Sequence, residues 1–165
     1  SRPRGRRRGA TMHADQLFGH WDAVREGLFQ ALDQLTDEQL RFTPRPELRT
    51  IGAVACHIAS AENGWLSHIV WRETADWPAD FGVSEYTSVA ALKGLLGRVH
   101  SRTKAYLATI SADPPSPQVD QPIVLPWGPQ VSLRWVIWHV LEHEIHHRGE
   151  IYLMLGLLGM EAPDV

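Results

Sequence analysis

The sequence predicts an all-α protein, four amphipathic helices packed as a bundle, and three observations predict it. Four segments repeat apolar side chains at intervals of three and four residues, the spacing of one helix face. Prolines fall between these segments rather than within them, as they must if each segment is an unbroken helix. The chain has 165 residues, 44% hydrophobic and 21% charged, enough for one buried core.

The first helix is expected from about His13 to Leu35, with Leu17, Trp21, Val24, Leu28, Ala31, Leu32 and Leu35 on one face. Thr36 followed by Gln39 reads as a capping box opening a short turn, and Pro44 and Pro46 forbid continuation. The second helix runs from an N-cap at Thr50 to about Trp71, turning Ile51, Val54, Ile58, Trp65 and Ile69 inward. A polar link over 72–87 leads to a third helix from Ser88 to about Ile110, carried by Leu92, Leu95, Leu96, Val99, Tyr106 and Leu107. Six of the eleven prolines fall in 111–131, which excludes a long helix; IVLPWG could pair briefly as a strand, but the stretch reads as an ordered loop. Ser132 caps the fourth helix, which ends at Gly159. No internal repeat and no second domain stands out, so 13–160 reads as one domain.

The net charge of −3 is uneven, because 1–12 holds five arginines and no acid and the remainder sums to −8. The basic stretch reads as a disordered leader, or as residues upstream of a start at Met12. An acidic body would repel phosphate, so nucleic acid is not an expected partner. No apolar run approaches the roughly 20 residues of a membrane span. The one cysteine, Cys56, excludes an internal disulfide and any zinc site built on several thiolates, and it agrees with a cytoplasmic setting.

Histidine is the unusual residue. Nine occur, four of them within WHVLEHEIHHRGE. His139, His143 and His147 are spaced by four, and each such step on a helix turns only about 40° past a full turn and rises about 6 Å. Consecutive members can aim their imidazoles at one point, a pincer for a zinc-like ion. A face of core histidines would instead need a hydrogen-bond partner for every buried ring. Two donors from one helix leave an ion under-coordinated, and His57 on the second helix is the best third, among Ala53, Ala55, Ala59 and Ala61, which let a backbone approach. His146 points off the stripe by about 100°. His68 lies roughly 16 Å further along its helix than His57. His13, His20 and His100 read as surface residues.

The run HVLEHEIHHRGEI, preceded by LPWGPQVSLRWVIW and joined by an upstream helical histidine, resembles the DinB-like superfamily. These are small bacterial four-helix proteins that include YfiT-type metal-dependent hydrolases and thiol S-transferases. The resemblance covers about Met12 to Gly159. It implies an up-down-down-up bundle, often a homodimer, and a metal held by one histidine of the second helix and the last two spaced histidines of the fourth. Here these are His57, His143 and His147, with His139 a neighbour outside the ligand set. The RG pair, Arg148 and Gly149, also matches; Arg148 reads as an ion-pair or pocket residue and Gly149 as a close helix contact.

Three neutral ligands leave an ion an open position, as in catalytic rather than structural sites. Such a site would activate water near neutral pH or hold a substrate thiol as thiolate. Zinc is the first expectation, with nickel, iron and manganese as alternatives. The expected activity is metal-dependent transfer or hydrolysis of a small-molecule substrate, with a low-molecular-weight thiol as cosubstrate; the alternative is a non-catalytic, metal-stabilised binding or dimerisation module. Glu62, Glu142 and Glu144 read as bundle or surface charges and Glu150 as solvent-facing. Trp21, Trp65 and Trp138 are candidates for an apolar pocket wall as well as for ordinary core, and Trp127 for a lid. Cys56 reads as an inert buried thiol.

Overall fold

The computed structural model describes residues 10–114 and 117–165, and the chain is mostly helical. The basic stretch 1–9 and the pair 115–116 lie outside the described residues. Met12 is tied to the body: its amide donates to Asp113 and its carbonyl accepts from Ala112.

The expected first helix is two pieces, α1 (Ala14–Leu17) and α2 (His20–Asp33). The break falls at Phe18 and Gly19, where glycine, the weakest helix former after proline, lets the chain turn. The Thr36–Gln39 box forms reciprocally, at 2.9 and 3.3 Å, ahead of a short 3-10 turn, Glu38–Arg41. Thr50 caps α3 (Ile51–Gly64), Ser88 caps α4 (Val89–Leu107) and Ser132 caps α5 (Leu133–Leu157), each hydroxyl accepting from the amide three residues on. Beyond Gly64 the helix continues to Val70 in the wider π form. Gly159, at φ +79°, supplies the left-handed residue that ends α5.

The proline-rich stretch is more ordered than a loop. Strands β1 (Pro122–Val124) and β2 (Gln130–Ser132) pair antiparallel, with Ile123 opposite Val131. The pairing wins because Ile123 alone points inward while Pro122 and Val124 face out, the alternation a half-buried strand needs. Gly128, at φ +116°, makes the intervening turn.

Helix α3 packs on α4 and α5, and α2 packs on the same two. Trp21 reaches Glu144 and Gly27 abuts Tyr152, so α2 and α5 run in the same sense. Asp22 meets Lys104 and Asp33 meets Lys93, so α4 opposes α2; His57 meets His143 and Trp65 meets His139, so α3 opposes α5.

The apolar core is in two parts. One contains Trp21, Val24, Leu66, Leu107 and Val140, the other Leu28, Ile58, Leu96, Ile151 and Leu155. Between them each long helix contributes one polar residue, Arg25, Glu62, His100 and Glu144, all at most 6% exposed. Arg25 donates to Glu144, Glu62 and the Leu96 carbonyl at 2.7–2.8 Å, and His100 Nδ1 donates to Glu62 at 2.8 Å. His100 is thus interior, against the expectation of a surface residue, while Glu62 and Glu144 are bundle charges rather than surface ones. A buried cation and carboxylates satisfy one another here, which local sequence cannot reveal. Among the described residues no helix is long and apolar enough to cross a membrane.

Candidate metal centre

The polar layer ties α3 and α5 together at the height of three histidines. His57 on α3 meets His143 and His147 on α5, with donor nitrogens all within 4.8 Å of one another. His57 Nε2 and His143 Nε2 are 3.1 Å apart. The ring centroids lie 4.8 Å apart for His57–His143, 4.6 Å for His57–His147 and 4.3 Å for His143–His147. Two nitrogens bound at about 2.05 Å to one tetrahedral ion sit about 3.3 Å apart, so the 3.1 Å between His57 and His143 suits a shared cation. A proton between two rings would satisfy only two of the three donors.

The electrostatics favour the ligand form of the rings. Burial, then the neighbouring His147 and His57, push His143 down to about 3. Burial also lowers His57, helped by the charge of Arg49 and by His147. Both rings are therefore neutral at neutral pH, with lone pairs available.

Glu150 does more than face solvent. It is half-buried, and its Oε2 accepts from His147 Nδ1 at 2.8 Å. That bond fixes the tautomer and leaves His147 Nε2 as the free donor, as carboxylates behind metal-binding histidines commonly do. The signal was present in the sequence, since 147 and 150 are neighbours at helical spacing. A second grouping of His146, His147 and Glu150 uses the same contact, but His146 is 69% exposed and lies on the surface as expected.

The other expected residues divide. His139 stays out of the donor group; it stacks flat on Trp135 at 5.0 Å and edge-on to Trp65 at 4.8 Å. Trp65 is buried at the centre of an aromatic cluster, with Trp77, Trp127 and Trp135 each about 6 Å away. Trp21 is core rather than pocket wall, because its Nε1 donates to Glu144 at 2.6 Å and its ring lies against His100. Trp138 is 56% exposed on the outer side of α5. Arg148 turns toward α2, reaching the Val24 carbonyl at 3.4 Å and lying over the Tyr152 ring. Gly149 is not a close contact, since a Cβ there would meet nothing. His20 is exposed, His13 is half-buried, and His68 bonds the Thr74 carbonyl away from the cluster. Burial pushes the Cys56 thiol up to about 11, and Glu85 adds to the shift, so the thiol stays protonated.

A sequence model of the DinB superfamily matches residues 20–151. The chain belongs to the DinB superfamily. Among curated proteins none matches it. Solved structures resemble this DinB-superfamily chain in fold. A DinB-like protein from Bacillus cereus ATCC 10987 superposes with a TM-score of 0.70 at 21% identity, covering 93% of this chain and 99% of that one. A conserved protein from Enterococcus faecalis gives 0.66 at 20% identity, over 90% and 99% of the two chains. A DinB-like protein from Bacillus subtilis gives 0.66 at 18% identity, over 90% and 96%. At these identities the likeness speaks for the fold alone.

Proposed function

We propose that this DinB-superfamily protein holds one divalent metal ion with His57, His143 and His147 and catalyses a transfer or hydrolysis reaction, with a low-molecular-weight thiol as cosubstrate. One observation carries the reading: three imidazoles from two helices converge within 4.8 Å, with one ring locked by Glu150. Bound there, an ion would supply Lewis acidity for activating water or a thiol, and three imidazoles suit zinc first, then nickel, iron or manganese.

The chain's own residues do the rest. Glu150 orients His147, and burial keeps His143 neutral as a donor. Among the described residues no fourth His, Cys, Asp or Glu joins the group, which supports an open position for substrate. The helix directions support an up-down-down-up bundle, in which a ligand pair on the last helix faces the second. The reading includes a cytoplasmic homodimer.

Metal analysis of the purified protein should find close to one ion per chain, and the double variant His143→Ala, His147→Ala should lose it. Thiol-dependent consumption of an electrophile such as monobromobimane should stop on chelation. Equal metal content in the double variant would remove the centre. One ion per chain without turnover over a panel of bacterial thiols would leave a metal-stabilised binding module.

A further inference from the structure

Helices α3 and α5 hold the histidines and also frame a cavity of about 270 Å³ one turn along from them. Val54, three residues before His57, and Glu150, three after His147, both line it. Pro44, Leu48, Leu153 and Met154 complete apolar walls, and Leu48 and Leu153 are 52% and 66% exposed at its mouth. The volume lies just below the roughly 300–1,000 Å³ of pockets that enclose drug-sized ligands, so a smaller molecule fits.

The cavity carries one cation. Arg49, an exposed residue, lines it, and none of the ion pairs among the described residues includes it. Arg49 also directly precedes Thr50, the N-cap of α3, so the positive end of the helix dipole adds to its field. The carboxylate in the lining, Glu150, already accepts from His147 Nδ1 at 2.8 Å and lies 3.7 Å from His146 Nε2. An unpaired guanidinium above apolar walls recognises a planar, singly charged anion by paired N–H···O bonds. Glu150 would repel the double charge of a phosphate monoester more strongly than the single charge of a carboxylate.

We propose that this cavity is the substrate subsite of the three-histidine centre and takes a small carboxylate, its head group on Arg49 and its apolar arm against Val54 and Met154. The assignment rests on the metal-centre reading for its chemistry, but the subsite can be tested separately. Calorimetry on the protein as purified, with its metal content measured, would use hexanoate as probe and hexylammonium and hexyl phosphate as controls. Hexanoate should bind saturably, and each control at least tenfold more weakly. Arg49→Gln should weaken hexanoate at least tenfold while metal content stays the same. Absent hexanoate binding, equal binding by Arg49→Gln, or equal binding of hexylammonium or hexyl phosphate would overturn the subsite. Arg49-dependent hexanoate binding in protein that holds no metal would keep the subsite and sink the proposed function. One ion per chain without hexanoate binding would do the reverse.

Discussion

Replacing Arg25 with methionine tests the view that a charged layer, rather than apolar packing alone, sets the register of the four helices. Arg25 makes four hydrogen bonds of 2.7–2.8 Å, to Glu144 twice, to Glu62 and to the Leu96 carbonyl. Both carboxylates are 1% exposed. Methionine would fill much of the volume but leave two buried negative charges without their shared cation. Removing one member of a buried pair costs about 3–5 kcal/mol, set against a total stability of about 5–15 kcal/mol. For a chain of this size each kcal/mol lowers Tm by roughly 2–4 °C, so a fall of roughly 6–20 °C is expected. Thermal and urea unfolding followed by far-UV circular dichroism would measure it. The triple variant Arg25→Met, Glu62→Gln, Glu144→Gln should regain at least half of the loss, because the stranded charges are gone. A single variant within about 1 kcal/mol of the parent, or a triple variant no better than the single, would refute the reasoning.

Two further outcomes follow from the same geometry. Burial tends to raise the Glu62 carboxyl, but Arg25, His100 and Thr103 outweigh it and bring it from 4.5 down to about 2; stability from this group is therefore complete above about pH 4.5 and is lost as pH falls toward 2, at no more than about 1.4 kcal/mol per pH unit, and urea midpoints of Glu62→Gln should show a shallower acid dependence in that window. Glu150→Ala frees His147 Nδ1, and competition with a chelator should show metal affinity reduced about tenfold or more with the fold unchanged by circular dichroism.

Local chemistry accounts for what could be read early. Thr50, Ser88 and Ser132 start their helices because a side-chain oxygen three residues from an amide caps it wherever the chain sits. The stripe His139, His143, His147 was legible because helical spacing alone puts the rings in line. The break at Gly19 was not expected, and the β1–β2 pairing was weighed for IVLPWG but set below an ordered loop, since continuous apolar spacing masks a one-residue turn and repeated prolines mask a short hairpin.

Sequence by itself determined three capped helices, an amphipathic helical segment ahead of them and a histidine pincer on the last, because those features depend on neighbours within a few residues along one chain. Only the tertiary structure decided that His57 Nε2 stands 3.1 Å from His143 Nε2, that Glu62, His100 and Glu144 share a buried layer with Arg25, and that Arg49 stands over an apolar cavity. Each of these depends on the rotation and height of one helix against another. Those are set by the summed packing and ion pairing of the whole core, and no local pattern encodes them.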